Sequence, residues 1–469
     1  MGVTEQLAKF AVDPPTGFLT PKLIESVAEK FLDTIGIMVA GAQSPASRIV
    51  RKTVAEAGGA PEATIIGTAE KNSLMHAGFV NGVSAHALEY DDNTPDIGHV
   101  SAGMVPGCLA LAEQMNLSGK QLVEAFALGY EVAGRISIGL NPPAMLDRGF
   151  HSPGMIGGLG VTVAACRLMR LDAMATRMAI GLMSSSGTGI RKNVGSAGKA
   201  FHIGNAVRSG LQAASLARNG FAVDPDIIEG ADQGQGHQRF GLAYSYVGAG
   251  NFFPDRMVEG LGGEFLLTRI PTMVRMHPCS TVNCVAIDGM IELANKHDLK
   301  AADIDNVDVA AHPRMLMIAP YVEPSDSYRA KFTPAYTFAA ALVDRKVGLP
   351  QFTDLRIRDP QILGLMKRIR VWVRDDIKQD RGWCGHEDSW TSVRIKIQLK
   401  SGKTLSGTYV HAKGWPGSPA SWDDLCGKYE ECAEGILPAQ QVRDSIAMIK
   451  HLPELRSVRD LVKLLAKPA

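Results

Sequence analysis

GNAVRSGLQAASLA (204–217) is a stretch of small residues inside a longer segment that is predicted to be helical. The helix is expected from Asn205 to Arg218, because an Asn-Gly pair then follows, which is a good stop signal. GGLGVTVAAC (157–166) has the same small-residue character. Small side chains let helix backbones approach closely. In a chain with 21% charged residues, both stretches therefore indicate a tightly packed helical bundle rather than membrane spans.

The rest of the first half also reads as helices. Thr20 is a cap before a proline at the first helical position, and apolar residues then recur at helical spacing until Gly41. Ser118 opens another helix, and a further one runs from about Asp172 to Met183. These segments predict an all-helical domain.

The pattern changes after about residue 266. Residues 393–400 alternate apolar and polar side chains, as a strand with one solvated face does, and a Ser-Gly-Lys turn follows them. We also expect 307–318 to be partly extended and 368–374 to be a strand, with a helix at 335–343 between them. Residues 439–467 return to helix. We predict a mainly α fold with an α+β part, in which 1–266 plus 415–469 form the all-helical domain and 267–414 form a smaller inserted α+β domain.

Composition excludes several classes of protein. The length of 469 residues predicts two domains, and 49 basic against 48 acidic side chains leave a net charge of +1. Nucleic-acid binding and membrane attachment are therefore not expected. Seven cysteines without a CxxC pair argue against a disulfide framework, a zinc site or an iron–sulfur cluster. No signal-peptide pattern or membrane-spanning run is present, so we expect a cytoplasmic protein.

The densest polar cluster, EYDDNT (89–94), contains Glu89, Asp92 and Asn93 and leads to His99. Its oxygens suit a divalent cation, although EF-hand spacing is absent. A loop that caps the next helix explains the same residues. His99 precedes an apolar run, and a histidine at a helix entrance faces a ligand or makes a helix-start hydrogen bond.

The second motif, GFHSPG (149–154), presents His151 just before the glycine-rich stretch. The glycines fit neither the Walker pattern nor GxGxxG within a βαβ unit, so we reject nucleotide binding. Glycines that let helices pack, with His151 at a helix start, explain the motif better.

The third motif places basic side chains between glycines. Arg191 and Lys192 come first, and GKAFHIGN (198–205) then carries Lys199 and His202. Such residues capture carboxylates or phosphates, or they form a basic surface loop. A lysine that enters an apolar helix is costly unless it is paired, which favours a functional Lys199. A satisfied core histidine explains His202 equally well.

Two further motifs lie beyond residue 266, HPCST (277–281) and RAKFT (329–333). His277 and Cys279 suggest a cysteine nucleophile, but no cysteine-hydrolase signature surrounds them and a rigid turn is the alternative. Lys331 precedes a helix, and a surface lysine with a packed stem is the alternative there.

In order, these motifs resemble the MmgE/PrpD superfamily, which includes 2-methylcitrate dehydratase, cis-aconitate decarboxylase and iminodisuccinate epimerase. The resemblance spans nearly the whole chain and rests on HALEYDDNTPDIGHVSAG, GFHSPG, GKAFHIGNAVRSGLQAASLARNGF, HPCSTVNCVAID and RAKFTPAYTFAAAL. It implies a homodimer of two-domain subunits, with the smaller domain covering part of the active site. It also implies an enzyme that needs no metal and no organic cofactor.

The resemblance carries over, position by position, to Glu89, Asn93, His99, His151, Lys199 and Tyr321. Together with the motifs, it leads to a predicted catalytic set of Glu89, Asp92, His99, His151, Lys199 and Tyr321. The predicted substrate-binding set is Asn93, Arg191, Lys192, His202, His277 and Lys331. In this hypothesis Lys199 binds substrate carboxylates, and His99 and His151 exchange protons with the substrate.

The shared chemistry of the family is proton movement at a carbon next to a carboxylate, for which histidine is a suitable base. We expect a lyase that dehydrates a 2-methylcitrate-like hydroxy-polycarboxylate, a di- or tricarboxylate. Glu89 stands where aspartate is usual and Asn93 where a hydroxyl residue is usual, which weighs against a cis-aconitate decarboxylase. The alternatives are decarboxylation or epimerisation of an aconitate-like or iminodisuccinate-like acid, and a non-catalytic binding protein.

Overall fold

The structure is a computed structural model that describes residues 1–187, 189–230, 240–377 and 382–468. The chain forms two compact units. The first contains Met1–Ala87, Asp91–Pro271 and Trp422–Ala469, and the second contains Leu88–Tyr90 and Thr272–Ser421. The sequence predicts domain boundaries at 266/267 and 414/415. This division into domains remains a prediction.

The first unit is built from helices and one short pair of strands. Its helices are α1 (Val3–Val12), α2 (Pro21–Gly41), α3 (Pro45–Ala57), α4 (Leu74–His86), α5 (Ser101–Met115), α6 (Gly119–Gly139), α7 (Pro142–Asp147), α8 (Pro153–Leu168), α9 (Ala173–Ser186), α10 (Ala197–Arg218), α11 (Leu242–Val247), α12 (Pro254–Val258), α13 (Leu266–Arg269), α19 (Trp422–Ala433), α20 (Ala439–Lys450) and α21 (Val458–Leu465). The strands β1 (Ala63–Thr64) and β2 (Lys71–Asn72) pair antiparallel.

Side-chain caps mark the starts of the helices α2, α6 and α10. The hydroxyl of Thr20 accepts from the backbone N–H of Leu23, and Ser118 forms a capping box with Gln121. The helix α10 begins at Ala197, earlier than the predicted Asn205, because the Ser196 side chain caps it. The expected helix starts are thus confirmed for α2 and α6 and corrected for α10.

Close packing of small residues forms the centre of the first unit, where α10 packs on α4 and α8. A Cβ atom on Gly82 of α4 would lie 2.9 Å from the Cα atom of Gly204 in α10, and one on Gly210 would lie 2.8 Å from the carbonyl oxygen of Gly158 in α8. A larger side chain at these contacts would separate the helices. The predicted helical bundle is therefore confirmed.

The second unit combines helices with a four-stranded sheet. Its helices are α14 (Cys284–Lys296), α15 (Pro313–Ile318), α16 (Ser327–Ala330), α17 (Pro334–Asp344) and α18 (Pro360–Met366). Its strands are β3 (Ile304–Ala311), β4 (Ile369–Val373), β5 (Val393–Leu399) and β6 (Thr404–Tyr409). They lie in the order β4-β3-β5-β6, with β3 and β4 parallel and the other neighbours antiparallel.

The alternating sequence of β5 matches its burial, since Val393, Ile395 and Ile397 are buried. Gly402, with φ of 88°, turns the chain into β6 as expected. The expectation that 307–318 is partly extended agrees with the structure, because β3 ends at Ala311 and a helix follows. The mainly α fold with an α+β part is confirmed. Among the described helices, none is long and apolar enough for a membrane span.

Candidate active site

Four helix ends of the first unit bring their polar side chains together. His86 is the last residue of α4, His99 lies two residues before α5, and His151 lies two residues before α8. Lys199 and His202 occupy the first two turns of α10 on one face, since residues three apart are neighbours on a helix. The Gly82–Gly204 contact holds α4 against α10.

The four histidines form a row, His99–His86–His151–His202, which we call the histidine row. Successive ring centroids lie 5.1, 5.8 and 5.2 Å apart. The His86 side chain is fully buried, and that of His99 is 13% exposed. Lys199 is buried beside the row, with 6% of its surface exposed. The arrangement is a buried cluster of imidazole rings beside a lysine, and imidazole is the side chain that most often serves as a general acid or base.

Asp91 holds two members of the histidine row. Its Oδ2 atom lies 3.0 Å from Nδ1 of His86 and 3.0 Å from Nδ1 of His99. Nδ1 of His99 also lies 2.6 Å from the backbone carbonyl oxygen of Asp92. A carbonyl oxygen only accepts hydrogen bonds, so Nδ1 of His99 carries a proton.

The same three side chains have the types and spacing of metal ligands, because their nearest ligand atoms lie within 4.8 Å of one another. A histidine binds a metal ion through a nitrogen lone pair. The contact between Nδ1 of His99 and the Asp92 carbonyl assigns a proton to that nitrogen. Nδ1 of His99 is therefore a hydrogen-bond donor rather than a metal ligand, and in the neutral ring the lone pair is on Nε2.

His151 and His202 share one hydrogen bond between their Nδ1 atoms, which lie 3.1 Å apart. One ring donates and the other accepts. The backbone N–H of His151 donates to the carbonyl of Gly189 at 2.8 Å, which fixes the loop before α8. A Cβ atom on Gly189 would lie 3.0 Å from Nδ1 of His202, so glycine leaves room for the pair.

Burial and positive charge lower the basicity of this pair. Burial, followed by the charge of Lys199, holds the pKa of His151 well below 6.5. Burial and then Lys199 also lower the pKa of His202. At neutral pH both rings are therefore uncharged, and each can act as a base.

Sequence comparison identifies the family. The MmgE/PrpD N-terminal domain matches residues 5–241, and the MmgE/PrpD C-terminal domain matches residues 277–454. The chain belongs to the MmgE/PrpD family.

Curated relatives align over the full length of this MmgE/PrpD chain. It is 25% identical over 480 residues to a cis-aconitate decarboxylase of Homo sapiens, an alignment that covers 100% of this chain and 95% of the relative. It is 25% identical to the cis-aconitate decarboxylase of Mus musculus, with 100% and 94% covered. It is 23% identical to that of Aspergillus terreus (strain NIH 2624 / FGSC A1156), with 100% and 96% covered.

Asp92, which the sequence suggested as a catalytic carboxylate, is bound within the first unit. Its Oδ2 atom accepts from Nζ of Lys30 at 2.6 Å and from the hydroxyl of Ser101 at 2.8 Å. The side chain thus anchors the loop to α2 and to the start of α5. Asn93 beside it is also buried.

Arg191 and Lys192 lie on a short 3-10 helix, Arg191–Asn193, that follows the Gly189 contact. The backbone N–H of Arg191 donates to the carbonyl of Gly149 at 2.8 Å, which ties this helix to the His151 loop. Arg191 is half-buried and Lys192 is exposed.

The remaining predicted residues belong to the second unit. Glu89 forms an ion pair there with Arg275, with 3.0 Å between Oε2 and a guanidinium nitrogen, and both side chains are buried. Tyr321 lines a cavity of about 440 Å³ with α17 and β4 residues, and Arg329 lies over its ring at 5.4 Å.

His277 uses both ring nitrogens within the second unit. Nδ1 lies 2.9 Å from the carbonyl of Val347, and Nε2 lies 2.7 Å from Asp288. Burial alone would lower the pKa of His277, but the hydrogen bond and charge of Asp288 raise it. His277 is thus ion-paired with Asp288, and the proposed site does not include it.

Lys331 is buried rather than a surface lysine. Nζ donates to the carbonyls of Leu88 and Pro278, each at 2.8 Å, and lies 4.3 Å from the ring centre of Phe352. Burial lowers the pKa of Lys331 to about 7. It binds Leu88 next to Glu89, so it holds part of the family motif in place.

Sequence reasoning missed Asp91 and His86. Both stand in the motif HALEYDDNTPDIGHVSAG. The predicted catalytic set contains Asp92 as the carboxylate of this motif and does not contain His86. The sequence contained a signal for these residues. A polar residue at the end of a helix, followed by a loop that leads to a histidine, often contacts that histidine. The structure makes Asp91 the carboxylate of the histidine row.

Proposed function

We propose that this chain is a lyase that moves a proton at a carbon next to a carboxylate of a small di- or tricarboxylate, using its own side chains. The observation that carries the proposal is the buried histidine row beside Lys199 in the first unit. The names of the full-length relatives, which are cis-aconitate decarboxylases, support the same class of reaction.

A carbon next to a carboxylate is a weak acid, so its deprotonation needs a positioned base and stabilisation of the developing negative charge. His151 is uncharged at neutral pH because its pKa is lowered, so it is available to take the proton. The Lys199 cation lies in the same buried place, where an ammonium group stabilises developing charge better than in water. We assign His151 as a base, Lys199 as the carboxylate-binding cation and His99 as a second proton-transfer group.

Two outcomes of that chemistry are specific candidates. Dehydration of a 2-methylcitrate-like hydroxy acid is the outcome expected from the sequence, in which Glu89 and Asn93 depart from the decarboxylase pattern. Decarboxylation of an aconitate-like acid is the second candidate, because relatives of that name align with all of this chain. Both reactions need a base and an acid in one site, which the histidine row provides.

The test is proton NMR of the purified protein in heavy water with a panel of 2-methylcitrate, citrate, cis-aconitate and iminodisuccinate. Loss of water, loss of CO2 and stereoinversion give different product spectra. We expect turnover of at least one acid. His151→Ala should lower kcat/KM by about 10²- to 10⁴-fold, and Lys199→Ala should lower it by about 10²- to 10³-fold.

Matched controls distinguish the site from general damage. His76, on the same helix as His86, and Lys52, with an 81% exposed side chain, lie outside the histidine row. His76→Ala and Lys52→Ala should keep wild-type turnover. Full activity of His151→Ala and Lys199→Ala, or no turnover of any acid by the wild type, would contradict the proposal.

Two accompanying proposals are a homodimer, which the family resemblance implies, and a cytoplasmic location, which the sequence pattern predicts. Light scattering should then give twice the 50.2 kDa chain mass. Cell fractionation should recover the protein with cytoplasmic markers. A monomer mass, or recovery with membranes, would contradict them.

A further inference from the structure

We propose that Asp91 is a positioning residue that holds both His86 and His99 in the Nδ1–H tautomer, so that Nε2 of each neutral ring carries the lone pair. This adds Asp91 and His86 to the site. The catalytic consequence of this assignment rests on the proposed function, whereas the assignment of the two tautomers does not.

The first support is the shared acceptor. Oδ2 of Asp91 lies 3.0 Å from Nδ1 of both rings. An ionised carboxylate only accepts hydrogen bonds, so each contact requires a proton on Nδ1. The partner of one ring nitrogen decides which nitrogen of a neutral histidine is protonated.

The second support is a contact that acts on His99 alone. Nδ1 of His99 lies 2.6 Å from the carbonyl of Asp92, which also only accepts. Consecutive residues thus both select the Nδ1–H tautomer, Asp91 through its side chain and Asp92 through its backbone. In water a free imidazole prefers the other tautomer, so this site reverses the ordinary preference.

The third support is that Asp91 and Asp92 have different partners. The carboxylate of Asp92 is bound by Lys30 and Ser101. Those contacts anchor the loop, and the Asp91 carboxylate, with no exposed side-chain surface, faces the histidines. Asp91 is therefore the carboxylate that acts on the histidine row, and Asp92 fixes the backbone that carries it.

The consequence for catalysis is specific. A histidine that accepts a substrate proton at Nε2 becomes an imidazolium with Nδ1–H still directed at Asp91. The negative charge of Asp91 stabilises that cation, and no proton has to leave Nδ1. The same imidazolium then returns the proton from Nε2, so protons balance over one cycle.

Asp91→Leu tests the assignment because leucine removes the acceptor. Both Nδ1 atoms contact the same oxygen, Oδ2, so an amide oxygen at that place would accept from both rings and Asp91→Asn would keep both contacts. In Asp91→Leu, Nδ1–H of His99 still has the Asp92 carbonyl as an acceptor, whereas His86 loses its contact with Asp91. Asp91→Glu keeps an acceptor and is the conservative comparison.

The experiment is nitrogen-15 NMR of histidine-labelled protein, with His86→Asn and His99→Asn used to assign the signals. In the wild type we expect protonated-type shifts for Nδ1 and lone-pair-type shifts for Nε2 of both rings. In Asp91→Leu the His86 ring should show the reverse, and His99 should keep Nδ1–H through the Asp92 carbonyl. With the best acid of the panel, kcat of Asp91→Leu should fall by about 10²- to 10⁴-fold, and KM should change by less than about threefold.

Asp96→Asn is the matched control, since it removes a carboxylate from the same loop at an exposed position. It should keep the tautomers and kcat of the wild type. If Asp91→Leu does not fold, Asp91→Glu should fold, retain both tautomers and keep more activity than His99→Asn.

Several outcomes would overturn the proposal. The first is an Nε2–H signal for His86 or His99 in the wild type. The second is unchanged tautomers and kcat in folded Asp91→Leu. If the wild type turns over none of the acids, the proposed function fails, and the nitrogen shifts alone decide whether Asp91 sets the tautomers.

Discussion

At the scale of single residues, burial and the charge of Lys199 together determine the charge state of the histidines beside it. Burial lowers the pKa of His151 most, and the positive charge of Lys199 lowers it next. The pKa of His202 is shifted in the same direction by the same two causes. Both rings are therefore uncharged at neutral pH.

Lys199→Met should raise the pKa of His151, because the substitution removes a nearby positive charge and keeps an apolar side chain. In the wild type the Cε1–H signal of His151 should begin to titrate only well below pH 6.5. In the variant the midpoint should move to higher pH, toward the ordinary value. The measurement is a proton NMR titration from pH 8 to pH 4.5.

Lys52→Met provides the control for that titration. It removes a lysine whose side chain is 81% exposed and that does not contribute to the His151 shift. Its His151 titration should match the wild type. An unchanged midpoint in Lys199→Met would show that burial alone sets the charge state.

At the scale of elements, the contact between α4 and α10 determines how the histidine row is assembled. His86 ends α4, and His202 lies in the second turn of α10. A Cβ atom on Gly204 would lie 2.5 Å from a methyl carbon of Val83 and 2.6 Å from the carbonyl of Phe79. The glycine therefore sets the distance between the two helices that carry the site.

Gly204→Ala should destabilise the protein by about 1–3 kcal/mol, because an added methyl group in a filled contact separates the helices. Turnover of the folded variant should also fall, since His86 moves relative to His202. Urea denaturation and kcat measure the two effects.

Gly427→Ala is the matched control for helix propensity. Gly427 lies within α19 and a Cβ atom there would meet nothing within 4 Å. This variant should be more stable by about 0.5–1 kcal/mol, with unchanged turnover. Equal stability changes in both variants would contradict the packing argument.

At the scale of the whole molecule, the helix α19 from the last part of the chain contacts the helix α2 from the first part, within the first unit. Nζ of Lys428 in α19 lies 2.6 Å from Oδ1 of Asp33 in α2, and both side chains are buried. The helix α2 also carries Lys30, which binds Asp92. A buried ion pair thus links the C-terminal segment to the helix that anchors the active-site loop.

Lys428→Met should destabilise the protein by about 3–5 kcal/mol at pH 8, because Asp33 would be left buried without its cation. Burial raises the pKa of Asp33, although Lys428 opposes that effect. Without Lys428 the pKa rises further, so Asp33 is protonated at moderately acidic pH and the loss of stability should be smaller at pH 5. Urea denaturation at both pH values measures this.

The double variant Lys428→Met with Asp33→Leu provides the control. It removes both charges and should recover much of the stability, because replacing a buried pair by apolar residues is often neutral. A double variant no more stable than Lys428→Met would show that packing, rather than an unpaired carboxylate, causes the loss.

Much of the fold could be predicted because periodicity and caps are local properties. Thr20 and Ser118 mark helix starts through contacts with residues three positions away, and Val393, Ile395 and Ile397 mark a strand face by alternation. The prediction for 307–318 located part of β3 but not its end, because a helix begins immediately after that strand and local preference does not resolve a boundary. The grouping of Leu88–Tyr90 with the second unit had no local signal.

The sequence by itself determined the mainly α architecture, the family resemblance and the presence of His99, His151 and Lys199 in ordered motifs. Only the tertiary structure decided which carboxylate serves the histidines. Asp91 and Asp92 are chemically identical neighbours, and their roles differ because the loop after Glu89, a residue with φ of 55°, directs one side chain to the histidine row and the other to Lys30. That direction depends on backbone dihedral angles and on partners up to 62 residues away, neither of which is encoded in local spacing.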